Sequence, residues 1–270
     1  GLPYIPPELR EAAGEIEAAE KYKLPHLITL HDIRGDLHTH STYTDGKNSV
    51  EEMAEAARRR GYEYLALCDH SQRITVAHGL DPKRLGRQGK EIDGLNEKLK
   101  EIVVLKGCEV DILEDGTLDL PDKTLEKLDL TVCSIHSKFK LSRAKQTERV
   151  LRAMHNPNFV IFAHPTGRLV NEREPYDIDL EKIIKTAAKL NKVVELNAHP
   201  DRLDLTAPYC RVARDEGAMV AVSTDSHSGA DLDFMRFGIG QARRGWLEKR
   251  NVVNTKSLKE LKRIIKRARS

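Results

Sequence analysis

A chain of 270 residues is long enough to bury a sizeable core as a single α/β barrel. Its apolar share of 39% and charged share of 32% are ordinary for a water-facing globular protein. No apolar run reaches the roughly 20 residues that a membrane-spanning helix needs. The net charge of +3 is too small to predict nucleic-acid binding by itself.

The four cysteines never form a C-x-x-C pair, so the spacing predicts neither a zinc ribbon nor a disulfide framework. The N-terminus is acidic and lacks the basic-then-apolar order of a secretion signal. We therefore expect a cytoplasmic protein with no membrane association.

Residues 1–33 contain four prolines and a short helical stretch near Glu8 to Lys21. This composition is typical of a lead-in or linker segment, and we expect residues 34–270 to form one domain. Seven short apolar runs bounded by polar residues predict strands in that domain. They are DLHTH, EYLALCDH, IVVLKGCEV, LTVCSIH, FVIFAHP, KVVELNA and MVAVSTDSH.

Amphipathic segments between these runs predict helices, among them SVEEMAEAARRRG, TERVLRAMHN and LEKIIKTAAKLN. Strands that alternate with helices imply a parallel sheet built from right-handed βαβ units. Asp115-Gly116 between two apolar runs predicts a small hairpin after the third strand. The tail SLKELKRIIKRARS predicts a helix with one apolar stripe, and we expect its basic side to be a solvated face rather than a phosphate-binding patch.

Candidate metal ligands stand at the C-terminal ends of the predicted strands, where a parallel barrel gathers them at one mouth. His38 and His40 point the same way on a strand and can hold one ion, as can Asp225 and His227. Imidazole and carboxylate ligands suit Zn²⁺, Mn²⁺ or Fe²⁺ and favour an open hydrolytic site over a closed structural one. The polar residues at these strand ends are His38, His40, Asp45, Asp69, His70, Glu109, His136, His164, Glu195, Asn197, Asp225 and His227.

Other polar residues have alternative interpretations. His78 and His199 lie near the mouth, as substrate contacts or as ordinary loop polarity. His26, His31 and His155 lie outside the strand ends and are expected at the surface or at helix caps. The two D-x-D strings, Asp177 with Asp179 and Asp231 with Asp233, are expected to cap helices.

The motifs HTHSTYTDG, CDHS, GCEVDI, SIHS, AHPTGR, ELNAHPDRLDL and STDSHS resemble those of the PHP (polymerase and histidinol phosphatase) superfamily along essentially the whole chain. GLPYIPPELRE, RGDLHTH, CDHSQ and RRGWLE are similar, more narrowly, to the C-terminal PHP domain of bacterial family X DNA polymerases. The resemblance implies a distorted (βα)₇ barrel with a trinuclear metal site at the C-terminal ends of its strands.

The same resemblance implies nine ligands for three divalent ions. His38, His40, Glu109 and Asp225 would bind the first ion, and Glu109, His136 and His164 the second. Asp45, His70 and His227 would bind the third. Glu109, His38, His40 and Asp225 are then the expected catalytic residues. Arg168, His78, Asn197 and His199 are candidates for substrate binding.

The resemblance further implies a manganese-stimulated 3′–5′ exonuclease acting on DNA 3′ ends, with abasic-site endonuclease and 3′-phosphatase activity as further expectations. A polymerase domain would normally precede this one on the same chain, and without it this chain is expected not to polymerise DNA. Two alternatives stay open. One is a small-molecule phosphatase of the histidinol-phosphate type, and the other is a non-catalytic, metal-stabilised module of a polymerase.

Overall fold

A computed structural model describes residues 1–270 as alternating strands and helices. The strands are β1 (Gly35–Thr39), β2 (Tyr64–Leu67), β3 (Val103–Lys106), β4 (Glu109–Asp111), β5 (Val132–Ser134), β6 (Ile161–Phe162), β7 (Val193–Asn197) and β8 (Met219–Ser223). The helices are α1 (Glu15–Glu20), α2 (Val50–Arg59), α3 (Pro82–Lys98), α4 (Asp122–Leu125), α5 (Arg143–Met154), α6 (Leu180–Lys189), α7 (Ala207–Asp215), α8 (Met235–Arg244) and α9 (Leu258–Ala268).

All strand pairs are parallel and form two sheets, with the orders β1-β2-β3 and β4-β5-β6-β7-β8. Single parallel bridges join the sheets at two seams, Thr39 with Ser226 and His70 with Glu109. Counting β3 and β4 as the two halves of one predicted strand, seven parallel strands form a distorted barrel. At each of the two seams only a single bridge connects the sheets. The barrel is the predicted fold class, and it places every strand's C-terminal end on one side.

The third predicted strand is divided into β3 and β4 at Gly107. A side chain at Gly107 would lie 2.5 Å from Cys68 Sγ and 2.7 Å from the Leu67 carbonyl oxygen, so the chain passes β2 too closely for any residue with a Cβ. After this break β4 leaves β2 and pairs with β5. The predicted hairpin is confirmed by an antiparallel bridge between Ile112 and Leu118.

Helices α2 and α6 lie where the sequence predicts them, whereas α5 begins at Arg143, four residues before the predicted segment TERVLRAMHN. The Ser49 hydroxyl accepts from the Glu52 backbone N–H and opens α2, and the chain turns at Gly61 with a positive φ. Asp179 caps α6 by accepting from the Lys182 N–H, which confirms its predicted capping role. At the C-terminus, the Ser257 hydroxyl caps α9 in the same way.

Helix α9 closes the N-terminal end of the barrel. Its apolar residues Leu261 and Ile265 are buried against side chains near the starts of strands, including Tyr64 and Val193. Its lysines and arginines on the opposite side are exposed, as expected for a solvated face. The barrel is therefore closed by apolar packing at this end, opposite the strand ends that carry the candidate ligands.

Residues 1–33 pack against the barrel. Leu9, Ala19 and Ile28 are fully buried, and the Ile28 N–H donates to the Leu247 carbonyl. The helix predicted near Glu8 to Lys21 is wrong in extent, because Gly14 at φ +93° interrupts it and leaves a 3-10 turn followed by α1. None of the helices combines the length and apolarity that a bilayer crossing requires.

Asn254 joins the two sheets at the seam between β1 and β8. Its fully buried amide accepts from the Val222 N–H and donates to the Val222 and Gly35 carbonyls. We expect Asn254→Leu to lower the free energy of unfolding by about 3 kcal/mol, because it strands buried backbone groups. Urea titration followed by circular dichroism measures this change.

Asn96 offers a matched control, because its amide makes the same paired bonds to the Val104 backbone from a half-buried position. Asn96→Leu should cost about 1 kcal/mol or less, since water can replace the lost bonds. Equal losses in the two variants would contradict a special role for the Asn254 seam.

Candidate metal centre

The candidate ligands meet at the C-terminal mouth of the barrel. His38 on β1 and His40 just after it place their Nε2 atoms 3.2 Å apart, as the spacing of two residues predicts. Asp225, which follows β8, lies with Oδ1 at 3.0 Å from His40 Nε2. These three side chains, all buried, form one group of converging ligand atoms.

Glu109, at the start of β4, stands at the centre of the cluster. Its Oε1 lies 2.9 Å from His164 Nε2 and 3.2 Å from His136 Nε2. Its Oε2 lies 3.5 Å from His38 Nε2 and 2.8 Å from His70 Nδ1. The two oxygens thus face two different sets of imidazoles, which is the arrangement expected of a bridging carboxylate.

A third group lies towards solvent. Asp45 Oδ2 is 3.3 Å from His70 Nε2 and 3.4 Å from His227 Nε2, and His40 joins the same group through its other ring nitrogen. The Asp45 side chain is 36% exposed, whereas the Glu109 side chain is 1% exposed. All nine predicted ligands are therefore together in space, arranged from a buried floor to an open edge.

Buried carboxylates support the imidazoles from behind. Glu195 on β7 accepts from His38 Nδ1 at 2.7 Å and from the His164 backbone N–H at 2.7 Å. Asp111 accepts from the His136 N–H at 3.1 Å. The contact to His38 Nδ1 fixes the orientation and tautomer of that ring, and the two backbone contacts fix the chain at His164 and His136. Glu195 is thus placed to orient His38, although the sequence analysis had grouped it with the possible ligands.

Asp69, which precedes His70, also lies behind the ligands. Its carboxylate accepts from the Ser41 N–H, the Ser41 hydroxyl and the Thr44 hydroxyl. It therefore holds the loop that carries Asp45. The sequence indicates this role only weakly, because hydrogen-bonding and metal-binding carboxylates look alike at a strand end.

Two ligand positions have strained backbone. His164 has φ +26° and Asp225 has φ +55°, a region that residues with a side chain rarely occupy. Hydrogen bonds hold them there, since Asn197 Nδ2 donates to Asp225 Oδ2 and the His164 N–H is bound to Glu195. Strain of this kind is concentrated at functional sites.

The cluster strongly perturbs its own pKa values. Burial disfavours the charged form of His38, but the charges of Asp225 and Glu195 outweigh burial and raise the pKa of His38 well above its usual range. Burial is likewise outweighed by Glu109 and Asp45 at His70, whose pKa rises to about 10. Burial instead lowers the pKa of His40 to about 4.

The donor set fits divalent metal ions. His40 Nδ1 is buried with no hydrogen-bond partner, and His70 Nδ1 lies close to Glu109 without hydrogen-bonding geometry. Buried polar atoms left in this state require a partner, and imidazole and carboxylate donors suit zinc, manganese or iron. The assignment of individual ligands to three ions stays a prediction.

The predicted substrate contacts occupy different places. Arg168 donates to the carbonyls of Arg202 and Leu203, so its guanidinium holds a loop. Arg202, which the sequence analysis did not single out, lies with Nε 3.4 Å from Asp225 Oδ2, and its buried Nη1 has no partner. The His78 residue is exposed, and its backbone carbonyl accepts a hydrogen bond from Arg84.

Asn197 and His199 lie next to the cluster. Asn197 contacts Asp225, and its Oδ1 accepts from the His199 N–H at 3.0 Å. Asp231, expected as a helix cap, accepts from the backbone N–H of His227 at 3.1 Å. It therefore positions the loop of a candidate ligand.

Comparisons with known proteins agree with this geometry. The PHP domain model matches residues 36–199. The chain is 45% identical over 267 residues to the "DNA polymerase/3'-5' exonuclease PolX" of Bacillus subtilis (strain 168), a match that spans 99% of this chain and 46% of that protein. The chain thus spans less than half the length of this relative.

Two further proteins are similar. A probable phosphatase of Thermoanaerobacter sp. (strain X514) is 28% identical over 248 residues, which is 85% of this chain and 96% of that protein. The solved structure of histidinol phosphate phosphatase from Lactococcus lactis subsp. lactis Il1403, complexed with Zn, L-histidinol and phosphate, has a TM-score of 0.57 at 17% identity. It covers 77% of this chain and 93% of that chain.

Together with the family match, a distorted parallel barrel with a histidine and carboxylate cluster at its mouth identifies the PHP class of metal-dependent phosphoesterases. The chain belongs to the PHP family, and the resemblance drawn from its motifs is confirmed.

Metal binding should be coupled to proton release. The raised pKa values of His38 and His70 mean that both imidazoles carry protons at pH 7 in the metal-free protein. Ions must displace these protons, so affinity should fall as pH falls from 8 to 6. Calorimetric titration with Mn²⁺ at pH 7 in buffers of different ionisation enthalpy should show proton release, seen as heats that differ from buffer to buffer. Heats that are identical in all buffers would contradict this coupling.

Proposed function

We propose that the chain is a 3′–5′ exonuclease that hydrolyses phosphodiester bonds at DNA 3′ ends with bound divalent metal ions. The observation that carries this proposal is the 45% identity to the Bacillus subtilis protein, which extends along 99% of this chain. All nine predicted ligands are present in this chain and lie together at the barrel mouth. Manganese stimulation, abasic-site cleavage and 3′-phosphatase activity belong to the same proposal, as does a polymerase region on the same chain.

Three divalent ions would be held by the ligand sets that the family resemblance implies. Bound there, divalent ions supply Lewis acidity towards phosphate oxygens and activate the attacking water. The protein supplies positioning: Glu109 fixes the two buried groups relative to each other, and Glu195 holds the His38 ring. The more exposed edge at Asp45 leaves room for a phosphate to approach.

Arg202 is the best-placed cation for the scissile phosphate. Its side chain is 18% exposed and contacts Asp225, and its Nη1 lacks an acceptor within the protein. Arginine binds phosphate through paired N–H donors, and the partly exposed guanidinium beside Asp225 is placed to offer such donors to a phosphate at the mouth. In this proposal Arg168 acts indirectly, by fixing the loop that carries Arg202.

A small-molecule phosphatase of the histidinol-phosphate type is the second candidate. It is favoured by the probable phosphatase that aligns over 96% of its own length with this chain. The two candidates share the metal chemistry and differ in the substrate. Comparing turnover of a 3′-recessed oligonucleotide with that of histidinol phosphate separates them.

The charge of Glu109 is expected to be essential. Glu109→Gln keeps the shape of the side chain but removes the charge that faces both His38 and the pair His136 and His164, so metal binding weakens at both buried ligand groups. The rate of hydrolysis of a 3′-recessed oligonucleotide should fall by at least about 10³-fold, which corresponds to roughly 4 kcal/mol in the activation barrier. Metal content measured by elemental analysis should fall in parallel. Asp45→Ala should chiefly lower metal binding at the exposed ligand group that Asp45 forms with His70 and His227.

Glu114→Gln is the matched control, because this glutamate lies at the surface with 57% of its side chain exposed. It should keep full metal content and activity. Retained nuclease activity in a clean Glu109→Gln preparation would contradict the proposed role of the cluster. A metal-loaded wild type that cleaves only histidinol phosphate would favour the second candidate.

Arg202→Met should weaken transition-state binding without emptying the metal centre. Loss of a charge-assisted phosphate contact costs about 1.5–3 kcal/mol, so kcat/KM should fall roughly 10- to 100-fold. Steady-state kinetics on the oligonucleotide, with metal content measured alongside, tests this effect. Arg250→Met, at a side chain 80% exposed, is the control and should change neither quantity. An unchanged kcat/KM for Arg202→Met would refute the assignment.

A further inference from the structure

Three rings form a continuous row beside the metal centre: His199, Phe234 and Phe237. The ring centroids of His199 and Phe234 lie 5.1 Å apart in an edge-to-face arrangement, and those of Phe234 and Phe237 lie 6.2 Å apart. Phe237 is 38% exposed, and the other two residues are half-buried. We call these three residues the aromatic rim.

Two of the three rim residues, His199 and Phe234, are connected to candidate metal ligands. On one side the His199 N–H donates to Asn197 Oδ1, and Asn197 Nδ2 donates to Asp225 Oδ2, each at 3.0 Å. On the other side the His227 N–H donates to the carboxylate at the start of the Asp231–Phe234 turn. The rim is therefore joined to the cluster along two routes, one of two hydrogen bonds through Asn197 and one of a single hydrogen bond to Asp231 and the turn that follows it.

The rim is also held on a rigid base. It continues into α8, where Gly238 follows Phe237. A Cβ at Gly238 would lie 2.6 Å from Val222 Cγ1 and 2.7 Å from Ala198 Cβ, so α8 packs directly on β8 and on the end of β7. These strands carry the metal centre, and the distance from rim to cluster is fixed by this packing.

Cations accompany the rings. The Arg236 guanidinium lies 4.7 Å from the centroid of the Phe237 ring, and Arg202 contacts Asp225 on the side of His199. A row of partly exposed rings with guanidinium groups beside it suits single-stranded nucleic acid, since bases stack on the rings and phosphates meet the cations.

We propose that the aromatic rim is a stacking subsite for a nucleobase that adjoins the scissile phosphate. This inference rests on the proposed exonuclease function and narrows its substrate to unpaired 3′ ends, whose bases are free to leave the helix. Because every base has a π-face, the subsite accepts all four bases. Small phosphomonoesters do not reach it, so their turnover does not depend on the rim.

The test compares protein variants that lack one aromatic ring on two substrates, one with its terminal bases and one without them. Manganese-loaded wild type, Phe237→Ala and Phe234→Ala are assayed on a single-stranded oligothymidylate. The same proteins are assayed on an oligonucleotide carrying tetrahydrofuran abasic residues on both sides of the terminal phosphodiester. With the normal substrate each variant should raise KM about tenfold, the effect of one stacked base. With the abasic substrate the variants and wild type should have equal KM values.

Phe237→Trp should keep the wild-type KM, because it retains a stacking ring at the exposed position. Tyr4→Ala, at a remote tyrosine 74% exposed, is the control for loss of a surface aromatic and should behave as wild type. If Phe234→Ala fails to fold, the Phe237 variants decide the question alone.

Equal effects of Phe237→Ala on both substrates, or no effect on either, would overturn the subsite. A metal-loaded wild type that cleaves no oligonucleotide would overturn the exonuclease function itself, and the subsite with it. If wild type cleaves the oligonucleotide but the effect of Phe237→Ala on KM does not depend on the terminal bases, only the subsite is refuted.

Discussion

The barrel mouth is organised around one buried negative charge, the carboxylate of Glu109. A buried carboxylate is tolerated only when cations, metal ions or hydrogen-bond donors compensate its lost hydration. Its imidazole partners come from β1, from the ends of β2, β5 and β6, and from the segment after β1, so compensation requires these passages to converge. The same contacts of Glu109 therefore stabilise the fold at the barrel mouth and assemble the site. The partners are His38, His40, His70, His136 and His164.

A second layer of carboxylates extends the same logic outward. Glu195 lies behind His38, and Asp111 lies behind His136. Negative and positive groups therefore alternate from the centre to the barrel wall, and protons on the imidazoles can balance the charge when no ion is bound. Metal loading then exchanges protons for ions within a shell whose rings are already oriented, which limits the reorganisation that binding requires.

The position of the site was predictable because strand periodicity and strand ends are local properties of the sequence. The break of the third strand was not, since it depends on the close approach of Gly107 to Cys68. The sequence also does not reveal which arginine lies at the metal centre. Arg168 and Arg202 both follow strands, and only the loop path turns Arg202 towards Asp225. Carboxylate roles also resist sequence reasoning, because Glu195 differs from a ligand only by its neighbours.

The burial gradient across the cluster gives its parts different chemistry. Glu109 and His38 form a floor closed to solvent, whereas the Asp45 and His227 side chains are 36% and 32% exposed. An ion at the exposed edge exchanges with solvent more readily than one at the floor, so its identity should follow metal availability more closely. The loop after His227 also leads to Phe234, which places the open edge and the aromatic rim on the same approach. A substrate that approaches from this side meets the exposed edge of the cluster before its buried floor.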